Sequence, residues 1–300
     1  MTSLRDIGED ALIERLVGLV PRDPHPAAGP GDDCAAVDPG PHSPTLLLLK
    51  TDAIVEHIHF LPSAPARSVG WKAAARVISD FAAMGGQPGH FLITLALAPE
   101  TSVAWAEELY RGIGDCLEKF GGTLAGGETS SVPTGSAAVI SIAATGSVLR
   151  ENLVLRSTAR PGDLLLVTGS LGGSLAGKHL AFVPRLEETN WLLANFKPTA
   201  MMDLSDGLAV DLPRLAAASG CGFWLDEFAL PRNPDCTPTQ AMGDGEDYEM
   251  LFTFEPGQVP ALRVAWAERF PQLPLSLIGE MLHPGSQPSL HGGWEHFRSE

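Results

Sequence analysis

Three hundred residues is enough chain for two cores of about 150 residues each. Hydrophobic residues make up 44% and charged residues 19%, an ordinary globular balance. The formal net charge of −16 argues against nucleic acid or an anionic membrane as partner, and any anionic ligand would need cations to mediate its binding.

No apolar run approaches the roughly 18 residues of a membrane span, and no basic region followed by an apolar one opens the chain. Neither a span nor a signal peptide is expected. Cys34, Cys116, Cys221 and Cys236 are scattered with no CxxC pair, which fits a reduced, cytoplasmic protein.

In chain order, 9–20 has helical spacing with acids early, and "PRDPHPAAGPGDD" reads as loop. "TLLLLKTDA" is a buried strand that ends in polar residues. "SVGWKAAARVISDFAAMGG" is a long helix stopped by Gly85 and Gly86. "HFLITLALA" is a strand, "SVAWAEELYRGIGDCLEKFGG" a helix with a Gly-Gly stop, and "SAAVISIAATGSV" a strand.

The linker is expected near "RENLVLRSTARPGD", just after a boundary at 148–149, with Pro161-Gly162-Asp163 as a turn before "LLLVTGS" restarts as a buried strand. Helices follow at 172–182 and 185–195. "AMMD" is a short strand, 206–219 a helix, "YEMLFTF" a strand, 257–270 a helix and "LPLSLIGEM" a strand. Both halves alternate strand and helix, so the fold class is α/β (α+β) in two domains, 1–148 and 149–300.

"GGSLAGKH" follows a strand and nearly fits the phosphate-binding pattern GxxxxGK[ST], but His179 stands where the magnesium-binding hydroxyl is required. A Gly-rich turn packed on its strand is the favoured reading. The acids are more telling, because they recur where apolar elements end: Asp32 and Asp33, Asp52, Asp80, Glu128, Asp203 and Asp206, with Asp211 following.

GDD is a common turn, and Ser205 or Asp206 suits a helix cap. Asp80 is harder to dismiss, since Ile78, Phe81, Ala82, Ala83 and Met84 surround it and a carboxylate there is costly unless paired. The basic residues look too few and too distant in sequence to pair all these acids. Two carboxylates about 5 Å apart repel by roughly 3 kcal/mol at an effective dielectric near 20. If the acids converge, hard cations must join them, and oxygen donors without a His or Cys cluster favour magnesium over zinc.

The ordered series "GDDCAAV", "TDAIVEHIHF", "SDFAAMGG", "GGETS", "DLSDGLAVDL" and "GEDYEMLFT" resembles the thiamine-monophosphate kinase family, from about residue 6 to 298. That family shares a superfamily with aminoimidazole ribonucleotide synthetase, selenophosphate synthetase and a hydrogenase-maturation protein. "HF" at the end of "TDAIVEHIHF", and "GWEHF" near the C-terminus, favour the kinase among these relatives.

The resemblance implies ATP-dependent phosphorylation of thiamine phosphate with several magnesium ions. It also implies a homodimer formed through the N-terminal sheets, with ATP as co-substrate held between them. Asp33, Thr51, Asp52, Asp80, Asp203 and Asp206 match metal-binding positions. Gly127, Arg156 and Ser205 match nucleotide-binding ones, and Glu128 falls at a position implied for both metal and nucleotide. His59, Glu246 and Trp294 match contacts to thiamine phosphate. Asp80, Asp206 and Arg156 are the expected catalytic groups.

Plainer readings stand beside these roles. Trp294 suits a core cover, His59 a hydrogen-bonded strand histidine, and Arg156 a surface arginine. The chain departs from the family at Glu128, usually Asp, and at Lys50, usually a small hydroxyl residue. Lys50 either sits beside the acids as a built-in cation or points away as a surface lysine. The competing functions are a superfamily member acting on another acceptor and a non-catalytic nucleotide- or metal-binding regulator.

Overall fold

The computed structural model describes residues 3–23, 26–286 and 288–297. Pro24 and His25, in the expected loop, and Arg298, at the end of the family-like stretch, lie outside them. Strands β1 (Ala35–Val37), β2 (Thr45–Val55), β3 (Gln87–Leu97), β4 (Thr123–Ser131) and β5 (Val139–Leu149) make one sheet, ordered β1-β2-β5-β3-β4. Its pairings are antiparallel except β3 with β4.

Along β2, Leu46, Leu48 and Ile54 are buried while Leu47 and Leu49 are exposed, the two-residue alternation of a sheet with one covered face. The cover is α2 (Ala66–Ala83), against which α3 (Val103–Phe120) packs. Glycines set that crossing. A Cβ at Gly70 would stand 1.9 Å from the Leu109 carbonyl oxygen, and one at Gly112 would stand 1.8 Å from that of Arg67.

Strands β6 (Leu164–Thr168), β7 (Ala200–Asp203), β8 (Gly222–Leu225), β9 (Met250–Phe254) and β10 (Leu275–Leu282) make the second sheet, ordered β7-β9-β6-β10-β8 and antiparallel throughout. Every residue of β7 and β9 is buried, which is why these segments read as unbroken apolar runs. Around the sheet lie α4 (Leu186–Asn195), α5 (Leu208–Ala218), α6 (Pro238–Gly243) and α7 (Val259–Arg269). One hydrophobic cluster runs from the first sheet through α2 to Phe252, Phe254 and Trp266, so α2 is wedged between the two halves.

Four elements were not expected from the sequence: β1, β4, β8 and α6. In β4, "TLAGGETSS" has no apolar alternation, and all nine residues are exposed. Its backbone pairing to β3 makes it a strand. The helix expected over 172–182 is two short 3₁₀ turns, Ser174–Ala176 and Lys178–Leu180. Gly172, Gly173 and Gly177 take φ of 81°, 72° and 136° there, which no α-helix accommodates. The N-terminal helix, α1, runs Leu4–Val17 and kinks at Gly8.

Candidate active site

Five acids collect where α2, β2, the loop before β1 and the end of β7 meet. Asp33, Asp80 and Asp203 are buried, and each offers a carboxylate oxygen within 4.8 Å of the others. Asp52 and Asp206 line the same recess, of about 170 Å³, with Asp80 and Asp203. Asp203 is the last residue of buried β7, and Asp80 lies in the last turn of α2.

The sequence reading that bases are too few is corrected here. Arg156 grips Asp33 with two bonds, Nε to Oδ2 at 3.0 Å and Nη2 to Oδ1 at 2.6 Å. Lys50 donates to Asp80 Oδ1 at 2.7 Å and to the Asp33 carbonyl at 3.0 Å. Arg76 Nε lies 3.0 Å from Asp52 Oδ2, and Arg214 pairs with Asp206. Among the described residues Asp203 has only the Ser79 hydroxyl, at 2.5 Å. Four of the five carboxylates therefore carry a basic partner.

Burial pushes Asp80 well above the ordinary carboxylate range, against the pull of Lys50. Burial and the neighbouring Asp33 push Asp203 up to about 7. The folded state therefore resists ionising Asp203 more than the unfolded chain, whose value is 3.8. That cost is absent below the unfolded value and grows as pH rises toward the folded one. In chelator, Asp203→Asn is expected to be more stable than wild type near pH 8, with the gap closing toward about pH 4. Thermal melts at the two pH values check it, and a gap independent of pH would count against the burial account.

Asp206 does not cap α5. The N-cap is Gly207, without a side-chain bond, and Asp206 faces Arg214 instead. Asp211 has the structural role, accepting from the backbone N–H groups of Asp206 at 3.0 Å and Gly207 at 3.1 Å. It thereby fixes the turn that carries Ser205 and Asp206. Lys50 shares a face with Asp52, as residues two apart on a strand must, and is not a free surface lysine. Thr51, between them, is exposed and borders the uncovered face of the sheet, away from the acids.

A larger cleft of about 640 Å³ opens beside the acids, lined by α1, Arg156, Ser205, Asp206 and Arg214. Arg156 is no surface residue, since its side chain is only 17% exposed, and its backbone N–H donates to Asp32 Oδ1 at 2.9 Å. Gly127 and Glu128 are not brought to the acids within this chain. They stand on edge strand β4, three strand spacings from β2, or roughly 14 Å.

A second recess adjoins the acids, lined by His59, Arg76, Ser205, Asp206, Glu246, Tyr248 and Trp294. His59 sits on the turn after β2, where its Nδ1 accepts from Val55 N–H at 3.0 Å. Burial and nearby Arg76 hold it down at about 4, so the ring is neutral. Trp294 is half-exposed, and its backbone N–H donates to the Asp206 carbonyl at 2.8 Å. It therefore borders the recess and does not cover core.

Glu246 pairs with fully buried Lys72, whose Nζ also reaches the His59 carbonyl at 2.6 Å and His179 Nδ1 at 2.7 Å. Burial pushes Glu246 up, but His179, Lys72 and Arg76 together outweigh it and hold the carboxyl at about 2. Glu246 and Tyr248 take φ of 57° and 51°, left-handed values that cost non-glycine residues on the order of 1–3 kcal/mol each. Sequence reading missed Arg76, Tyr248, Lys72 and Arg214; "RVISD" did show an Arg one helical turn before Asp80.

The "GGSLAGKH" turn is not a phosphate loop. The Gly172 N–H donates to the Asp247 carboxylate and that of Gly173 to Asp244, while Lys178 is committed to the Ser170 carbonyl and Glu249.

Among the described residues no disulfide forms, and no helix is long and apolar enough to cross a membrane. The model of the AIR synthase related protein N-terminal domain matches residues 31–148, and that of the C-terminal domain matches 174–283. The thiamine-monophosphate kinase of Rhodopirellula baltica is 34% identical over 291 residues, covering 91% of this chain and 89% of that protein. The Escherichia coli K12 enzyme of the same name is 33% identical over 284 residues, covering 84% and 83%.

Among solved structures, AaThiL complexed with AMPPCP and TMP superposes with a TM-score of 0.82 at 28% identity, covering 99% of both chains. A Thermus thermophilus protein superposes at 0.79 with 28% identity, covering 95% and 97%. The chain belongs to the thiamine-monophosphate kinase family, within the AIR-synthase-related proteins.

Proposed function

We propose that this protein transfers the γ-phosphoryl group of ATP directly to the phosphate of thiamine phosphate, giving thiamine diphosphate. The observation that carries this is the junction of three spaces: a nucleotide-sized cleft, the acid cluster, and a recess with an acidic and aromatic rim. The relatives named for this reaction, and the AaThiL complex with AMPPCP and TMP, support it.

The acceptor is a phosphate oxygen, largely ionised near neutral pH because its second pKa is about 6. No general base or covalent nucleophile is needed, so the obstacles are anion repulsion and alignment. Arg156 lies between the nucleotide cleft and Asp33, suited to neutralise donor charge, and Ser205 borders all three spaces. Three buried carboxylates with converging oxygens fit a hard divalent cation. Asp33, Asp80 and Asp203 would hold magnesium, with Asp52 and Asp206 at the rim. When bound, it supplies charge neutralisation and aligns phosphate oxygens.

The deciding measurement is ADP release with thiamine phosphate, thiamine and aminoimidazole precursors tested in parallel. Turnover with thiamine phosphate alone is expected. Turnover with another acceptor, or with none, rejects the assignment.

Lys50 already supplies one positive charge beside Asp80 and Asp33. Lys50→Ser is expected to need more magnesium for half-maximal activity, on the order of tenfold, equivalent to about 1.4 kcal/mol. It should also bind one more ion with nucleotide present. An unchanged magnesium titration would refute the substitution of ammonium for metal.

Trp294 is placed to stack on the cationic thiazolium, worth roughly 1–2 kcal/mol when desolvated. Trp294→Ala should therefore raise KM for thiamine phosphate about tenfold and leave KM for ATP nearly unchanged. An equal rise in both would mark the ring as mere packing.

The uncovered face of the first sheet exposes Leu47, Leu49, Leu92 and Leu124 around an apolar groove of about 440 Å³. This supports a homodimer in which Gly127 and Glu128 serve the nucleotide held by the other copy, and the reading keeps the protein in the cytoplasm. A monomeric mass in sedimentation would rule out that pairing.

A further inference from the structure

We infer that Arg76 and Tyr248 form the seat for the acceptor's own phosphate group and set the preference for a phosphorylated over an unphosphorylated acceptor. This rests on the functional reading above and adds to it the residues that recognise the acceptor's anionic end.

Arg76, Ser205, Asp206, Tyr248 and His296 line both the acid recess and the acceptor recess, so they form their common wall. Glu246 and Trp294 line the acceptor recess and not the acid recess, while Lys50 and Asp80 line the acid recess and not the acceptor recess. An acceptor with a cationic ring and an anionic tail is thereby oriented. Its ring belongs with Glu246 and Trp294, and its phosphate, which must meet the donor, belongs at the common wall.

Among the described residues, Arg76 is the single Lys or Arg side chain that lines the acceptor recess. Lys50 is hydrogen-bonded to Asp80 and Arg214 to Asp206, so the cation that faces the phosphate from the acceptor side is Arg76. A guanidinium is always charged, and its fork suits phosphate oxygens.

Two donors stand ready at that wall. Arg76 Nε lies 3.0 Å from Asp52 Oδ2, but its N–H is not aimed to bond that oxygen. The Tyr248 hydroxyl is buried and has no hydrogen-bond partner among the described residues. A buried hydroxyl without a partner is unfavourable for the empty protein and is explained when a ligand supplies the acceptor. The Tyr248 ring is held firmly, stacked on Phe182 with centroids 3.9 Å apart and planes 15° apart. Its backbone keeps the left-handed φ of 51°, so the turn maintains a strained residue to hold the hydroxyl there.

The test compares wild type, Tyr248→Phe, Arg76→Lys and Arg76→Gln. Titrations with thiamine phosphate and with thiamine are set beside KM values for both substrates and melting temperatures. Tyr248→Phe removes only a hydroxyl that bonds nothing in the ligand-free protein. It is expected to melt with wild type while KM for thiamine phosphate rises about tenfold and KM for ATP stays constant.

Arg76→Gln is expected to weaken thiamine phosphate binding on the order of a hundredfold and thiamine binding little, with Arg76→Lys between. If Tyr248→Phe melts lower with KM unmoved, the hydroxyl is structural and the inference fails. It also fails if wild type prefers thiamine phosphate and Arg76→Gln keeps that preference in full. A wild-type protein that binds no thiamine phosphate overturns the functional reading and this assignment with it.

Discussion

Asp80→Asn is expected to lower kcat on the order of a thousandfold while the protein stays folded. Asp80 is buried in the last turn of α2, one wall of a three-carboxylate group, with Lys50 as its hydrogen-bonded cation. Asn keeps the shape and one oxygen but loses the charge that makes the group a site for a hard cation.

Asp206→Asn is expected to behave likewise, since Asp206 borders all three spaces. Burial already pushes Asp80 toward its neutral form, so removing its charge should not lower the melting temperature of the metal-free protein. Steady-state kinetics at saturating magnesium, with circular dichroism and melts, check both variants. Full activity in either would remove that residue from the reacting centre.

Lys72→Met carries the largest expected effect on stability. The Lys72 ammonium is wholly buried and holds Glu246, His179 and the His59 carbonyl, so it ties α2 to the turn before β9. Burial lowers Lys72 against the pull of Glu246 and, more weakly, Asp52, whereas Glu246 gathers several positive or donating partners. Removing the lysine leaves the largely buried Glu246 without its closest cation, a loss of about 3–5 kcal/mol. That corresponds to a fall in melting temperature of roughly 10 °C.

The Glu246 carboxyl, held at about 2 against an ordinary 4.5, contributes stability above the ordinary value and loses it as pH falls toward 2. The deficit of Lys72→Met should therefore be full at neutral pH and shrink in acid. A deficit that does not change with pH would point to lost packing instead. KM for thiamine phosphate should also rise, because His59 and Glu246 both lose their anchor.

The sequence by itself determined the elements with strong periodicity and the identity of the key acids. A carboxylate inside "VISDFAAMGG" is costly unless something uses it, and that physical oddity is visible without coordinates. The buried strands β6, β7 and β9 were legible as apolar runs because both their faces are covered.

Tertiary structure alone decided the charge balance. Asp80 meets Lys50 across 30 residues and Asp33 meets Arg156 across 123, distances over which no local pattern carries information. It also decided β4, because a strand of glycines and small polar residues exists only through the backbone of its neighbour. The use of Arg76 and Tyr248 was hidden for the same reason. Their roles come from a left-handed turn, a helix and a strand end closing on one recess, and burial of a polar atom without a partner belongs to the assembled fold.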